Sequence, residues 1–202
     1  MFYSNTYIIY LCGKYKNNVN FINRNMKNFC KIFFLLMFVL LPQNAEAKSK
    51  ANIYAFSRSL PKKQIISESG FKASLGEFEG DFVIAVFWSR YCVPCIKELK
   101  SLSNFVKETR TNGIRVLMIS PKSEWNSGFI EQREFMRRFE AENLEIYVDE
   151  KEAVASALGI YSSPISILIS REGREIGRVR GSLKWDDQDV IDYIYKVKAE
   201  KG

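Results

Sequence analysis

Hydrophobic residues along the 202-residue chain fall into short unbroken runs separated by amphipathic stretches. Phe82–Trp88 (FVIAVFW) is seven apolar residues rich in β-branched and aromatic types, the pattern of a strand buried on both faces. Ile96, Leu99, Leu102 and Val106 then recur at spacings of three and four, with lysines at 97, 100 and 107 between them, which predicts a helix stopped by Asn112-Gly113. Ile114–Ile119 reads as a second buried strand. Phe129, Phe135, Met136 and Phe139 mark one face of a second helix, Leu144–Val148 a third strand, and Glu150–Leu158 a short helix ended by Gly159. After Ser162-Ser163-Pro164, the segment Ile165–Ile169 turns at Arg171-Glu172-Gly173-Arg174 and returns as Glu175–Arg180. Val190, Ile191, Ile194 and Val197 mark a closing helix. Strands alternating with helices, followed by a hairpin and a last helix, predict an α/β fold: a central mixed sheet flanked by helices. The stretch from Lys48 to about Asp81 carries no comparable pattern and reads as loops and short elements punctuated by glycines.

Upstream lies a different signal. Ile32–Leu41 is ten apolar residues, preceded by Lys27 and Lys31 and followed by Pro42 and Ala45-Glu46-Ala47. Such a run is shorter than the roughly 20 residues of a membrane span and fits the core of a secretory signal with a small-x-small cleavage site. Residues 26–47 are therefore expected to be a signal peptide and 48–202 the exported domain, of periplasmic or otherwise extracytoplasmic location. An uncleaved leader would make a membrane anchor. Residues 1–25 are unusually long for a segment ahead of a signal core and are expected to be an upstream extension of a frame that starts at Met26.

Composition narrows the chemistry. The chain has no histidine, which removes Ser-His-Asp and Cys-His catalysis, His-ligated zinc and the Cys-x-x-Cys-His haem signature. A hydrophobic share of 47% with 26% charged residues excludes wholesale disorder. The net charge of +7 overstates the basic character, because five of the 30 basic residues and one of the 23 acidic residues precede residue 48. The remaining 25 and 22 are interspersed, and no nucleic-acid surface is expected.

Of the four cysteines, Cys12 and Cys30 precede the expected cleavage site and are expected to carry no function. Cys92-Val93-Pro94-Cys95 lies between the Phe82–Trp88 strand and the following helix, so both sulfurs fall at the helix start. There, free backbone N–H groups and the helix dipole stabilise a thiolate. Residues three apart meet on one helix face, close enough for a disulfide, and Pro94 suits a first turn. Cys92 is expected to be the exposed attacking thiolate and Cys95 the resolving one. Zinc would need four ligands, and the exported part offers no cysteine beyond these two and no histidine. A structural staple is disfavoured, because so short a loop constrains the unfolded chain little. Neither metal nor cofactor is expected. Arg90 reads either as an exposed solvated cation or as a further stabiliser of the thiolate.

The stretch Val86-Phe-Trp-Ser-Arg-Tyr-Cys-Val-Pro-Cys-Ile-Lys-Glu-Leu resembles the active-site strand and motif of the thioredoxin-like superfamily, and within it the exported TlpA/ResA-like disulfide reductases. Ser163-Pro164 resembles the family's cis-proline loop, and Ile165–Gly181 followed by Trp185 its terminal hairpin; the similarity runs from about Phe71 to Val197. The resemblance implies a thioredoxin-like fold, catalysis by Cys92 and Cys95, and an acidic residue near the thiols at Glu98 that passes protons. It also implies substrate binding by Ser163, Pro164 and the aromatic Trp88. Val86 stands where cytoplasmic thioredoxins carry a buried acid, so proton transfer through that position is not implied. The implied substrates are proteins with a disulfide, such as apocytochrome c or a copper-site protein, with a membrane redox partner. Three other readings remain: an oxidant that introduces disulfides, a copper-delivering module, and a binding domain with an idle cysteine pair. The copper module is disfavoured by the absent histidine, and peroxidase chemistry by the paired rather than single cysteine.

Overall fold

The computed structural model describes residues 50–202, so the expected leader, Cys12 and Cys30 lie outside the described residues. Eight strands form one mixed sheet: β1 Lys50–Arg58, β2 Gln64–Ser67, β3 Lys72–Ser74, β4 Phe82–Phe87, β5 Ile114–Pro121, β6 Glu145–Asp149, β7 Ile165–Ile169 and β8 Glu175–Arg180. Their order across the sheet is β1-β8-β7-β4-β5-β6-β2-β3. Among the described residues four α-helices accompany them: α1 Val93–Thr109, α2 Phe129–Arg138, α3 Ala153–Ala157 and α4 Gln188–Lys201. β4 runs parallel to β5 and antiparallel to β7, and β5 runs parallel to β6. The mixed sheet, the terminal hairpin and the closing helix all match the expectation.

The alternation of side chains along β4 divides the interior in two. Phe82, Ile84 and Val86 point to one face, where they pack with Leu99, Leu102 and Phe105 of α1 and Ile191 and Ile194 of α4. Val83, Ala85 and Phe87 point to the other, against Leu75, Phe78 and Val154. Every residue of β4 is buried, which accounts for its unbroken apolar run. At about 1.5–3 kcal/mol for each fully buried large apolar side chain, this double burial outweighs any of the exposed ion pairs, each worth about 1 kcal/mol or less.

Two regions depart from the sequence reading. The stretch read as loops contains a nine-residue strand, β1, as well as the short β2 and β3. β1 is the outermost strand, paired on one edge to β8, and most of its side chains are exposed, so no buried run announces it. The helix expected over 150–158 is shorter. Lys151 and Glu152 adopt left-handed backbone angles (φ 56° and 52°), and α3 starts only at Ala153. Asp149 sets that start: its carboxylate accepts the N–H groups of Val154 and Ala155 at 2.8–3.1 Å.

The turn between β7 and β8 needs its glycine for two reasons. Gly173 has φ +68°, and a Cβ there would lie 2.2 Å from the Gly76 carbonyl oxygen, a backbone atom that cannot easily yield. Gly173→Ala is expected to cost about 2–3 kcal/mol, read as a lower urea midpoint at unchanged slope. An unchanged midpoint would contradict this close approach.

Candidate active site

β4 delivers the chain to the site and the following loop is held at several points. Trp88 N–H donates to Ile119 O at 3.0 Å, Cys92 N–H to Ser89 O at 3.1 Å, and Tyr91 N–H to Ser89 Oγ at 3.1 Å. Cys92 is the N-cap of α1, with Pro94 in the first turn, as the sequence predicts. The two cysteines are joined in a disulfide with Cα atoms 5.2 Å apart. Their environments differ: Cys95 is 1% exposed within the core, whereas Cys92 is only half-buried. The Cys95 N–H points at Cys92 Sγ from 3.2 Å, the direction that stabilises negative charge on that sulfur after reduction.

On the opposite wall stands the Ser163-Pro164 loop. Its peptide bond is cis, in agreement with the resemblance, and the Ser163 carbonyl oxygen lies 3.4 Å from Cys92 Sγ. Ser163 is thus beside the more accessible sulfur, while Pro164 is buried at the head of β7. Trp88 is 2% exposed and packs against Trp125 and Phe135, with ring centroids 5.8 and 5.9 Å away. A large aromatic side chain at the end of a doubly buried strand is drawn into the core, so Trp88 supports the floor of the site and adds little to its outer surface.

Glu98 occupies the next turn of α1 and is only 3% exposed. One carboxylate oxygen, Oε2, accepts the Leu183 N–H at 3.0 Å and the Trp185 indole N–H at 3.3 Å; Oε1 has no partner among the described residues. Burial pushes the carboxyl up to about 7 from the usual 4.5, and the two hydrogen bonds only partly offset it. This is far from a solvated helix glutamate pairing with neighbouring lysines. Trp185 also packs on Phe105 at a centroid distance of 5.7 Å, so the segment before α4 both covers Glu98 and tethers it.

Arg90 fits neither of its sequence readings. Its backbone N–H donates to Glu124 Oε2 at 2.8 Å, and its guanidinium donates to Glu124 O at 3.0 Å and to Glu131 Oε1 at 2.5 Å. The guanidinium also sits 4.8 Å from the Trp125 ring centroid. Partnered in this way, Arg90 clamps the active-site loop to the segment after β5, and its charge is committed to Glu131 rather than to a thiolate. Glu131 is correspondingly held below the usual carboxylate range, chiefly by its hydrogen bond from Arg90. The sequence offers no signal for this clamp, because Glu124 and Glu131 lie 34 and 41 residues away.

Comparison with known proteins agrees with this geometry. The model of the AhpC/TSA family matches residues 56–194. The thiol-disulfide oxidoreductase ResA of Bacillus cereus (strain ATCC 10987 / NRS 248) is 20% identical over 149 residues, covering 74% of this chain and 82% of the relative. ResA of Bacillus subtilis (strain 168) is 24% identical over 130 residues, or 64% and 69% of the two chains. Among solved structures, a thiol:disulfide interchange protein from a Bacteroides species superposes with a TM-score of 0.58 at 20% identity, covering 72% of this chain and 91% of that one. The fold is thioredoxin-like, and the chain belongs to the AhpC/TSA family as a homologue of thiol-disulfide oxidoreductases.

Proposed function

We propose that the protein is an exported reductase of disulfides in selected substrate proteins, cycling between a Cys92/Cys95 dithiol and disulfide. The observation that carries this reading is the asymmetry of the pair at the start of α1: one accessible sulfur facing a main-chain N–H, and one enclosed sulfur within bonding reach of it. In the reduced protein the Cys92 thiolate attacks a substrate disulfide, forming a mixed disulfide and releasing one substrate thiolate. Cys95 loses its proton to Glu98 and attacks Cys92 Sγ; the second substrate thiolate leaves, and the Cys92–Cys95 disulfide forms. Two electrons from an external dithiol, supplied by a membrane redox partner, restore the starting state. Ser163 and Pro164 hold the substrate strand against Cys92, over the floor that Trp88 supports.

Residues 26–47 act as the export signal in this reading, 1–25 precede the true start, and 48–202 are the working domain. Apocytochrome c and copper-site proteins are the substrate classes the resemblance implies. Direction is tested by redox titration of the Cys92/Cys95 pair. A potential near or below about −250 mV is expected for a reductant, while one near about −120 mV would make the protein an oxidant.

A further inference from the structure

Beside the thiol pair, on the far side of Ser163, the structure contains a cavity of about 310 Å³ that the redox chemistry does not use. It opens between the ends of β4 and β5 and the segment before β7. Ser163, whose carbonyl oxygen is 3.4 Å from Cys92 Sγ, forms part of its wall. Whatever polypeptide lies along Ser163 with its cysteine at Cys92 therefore runs past this opening.

The lining has one sign of charge. Its ionisable carboxylates are Glu124, Asp149 and Glu152, and no lysine or arginine lines it among the described residues. Of the nearby cations, Arg90 pairs with Glu131 at 2.5 Å and also donates to the Glu124 main-chain carbonyl at 3.0 Å, and Lys122 pairs with Glu150 at 2.6 Å. Asp149 is spent on the N–H groups that start α3, and Glu124 gives one oxygen to the Arg90 N–H, so Glu152 and the rest of Glu124 carry the field. Three aromatic residues, Phe87, Trp88 and Tyr161, belong to the lining. Tyr161 is 85% exposed, and Trp88, buried at 2%, has an indole N–H with no partner among the described residues.

We propose that this cavity is a specificity subsite that receives a lysine or arginine side chain of the substrate polypeptide, close in sequence to the cysteine attacked by Cys92. Such a residue supplies what the lining lacks. Its cation meets Glu124 and Glu152 and the exposed Tyr161 side chain. The inference rests on the oxidoreductase reading and adds a substrate preference to it.

The test uses the reduced protein and synthetic peptides cyclised through a Cys-x-x-Cys disulfide, with Lys, Arg, Gln or Glu flanking the cysteine pair. Lysine and arginine peptides are expected to exchange about five- to tenfold faster in kcat/KM than glutamate peptides, through KM, with the gap closing at about 1 M salt. In the Glu124→Gln/Glu152→Gln protein the ratio between lysine and glutamate peptides should fall to near one. Glutamine retains an acceptor for the Arg90 N–H, and the peptide series on the unaltered protein stands even if the variant folds poorly. Exchange at rates blind to peptide charge, or a ratio that survives in the variant, overturns the subsite alone. Silence toward every peptide and toward a small aromatic disulfide overturns the oxidoreductase reading, and the subsite with it.

Discussion

Cys95→Ser is expected to accumulate substrate proteins as mixed disulfides on Cys92, released by a dithiol reductant, whereas Cys92→Ser should lose exchange by on the order of 10³-fold or more. The expectation follows from three features of the site. Cys92 is the accessible sulfur, it faces Ser163 where a substrate strand would lie, and it receives the Cys95 N–H at 3.2 Å. That N–H belongs to the backbone, so it persists when serine replaces the Cys95 side chain, and the attacking thiolate keeps its stabilisation. Cys95, 1% exposed, can reach the Cys92 sulfur but not an outside disulfide. Alkylation of the reduced protein across pH should modify Cys92 first, with an apparent pKa below the free-thiol value of about 8.5. Preferential alkylation of Cys95, or trapping by Cys92→Ser alone, would reverse the assignment. Inertness of both thiols would favour a binding domain with an idle pair.

The parts of this molecule that were legible in its sequence are those governed by local pattern. β4 announces itself because both of its faces are buried, and α1 because its apolar residues recur along one face while its lysines face solvent. The cysteine pair is legible because chemistry and position coincide: two thiols three residues apart, directly after a buried strand. What could not be read is set by partners remote in sequence. β1 owes its extended form to β8, more than 100 residues later, and its own exposed side chains give no burial signal. Arg90 looks like a free cation until the chain returns with Glu124 and Glu131. The environment of Glu98 depends on Leu183 and Trp185, which close over it from the far end of the chain. The late start of α3 also lies beyond periodicity, since it turns on the Asp149 carboxylate capturing N–H groups five and six residues on.

Glu98→Gln is expected to alter stability and turnover in opposite directions, and pH separates the two effects. The carboxyl sits at about 7 in the folded protein, chiefly because burial disfavours its charged form, against 4.5 for an ordinary glutamate. Below the unfolded value both states are protonated, and Glu98 makes no difference to their balance. Between about 4.5 and 7 the folded state holds the proton and the unfolded state has released it, so stability falls as pH rises through this window. Above 7 the full penalty applies, about 3 kcal/mol, since each tenfold change in a proton-binding equilibrium is worth about 1.36 kcal/mol. Glutamine keeps an oxygen for the Leu183 and Trp185 N–H groups but carries no charge, so the variant should be the more stable protein above pH 7 and should lack the slope between 4.5 and 7. Urea unfolding of the oxidised protein at about pH 5, 6, 7 and 8 reads this directly. Turnover should move the other way. A group that is half ionised near neutrality, one helical turn from Cys95, is suited to take that thiol's proton, and general acid–base groups typically contribute about 10²–10⁴-fold. Resolution of the mixed disulfide near neutral pH should therefore slow by roughly 10²-fold in Glu98→Gln, while the first attack by Cys92 stays within about threefold. A glutamate that served only to hold the segment before α4 would show the stability change without the slowed resolution, and that result would remove Glu98 from the proton path.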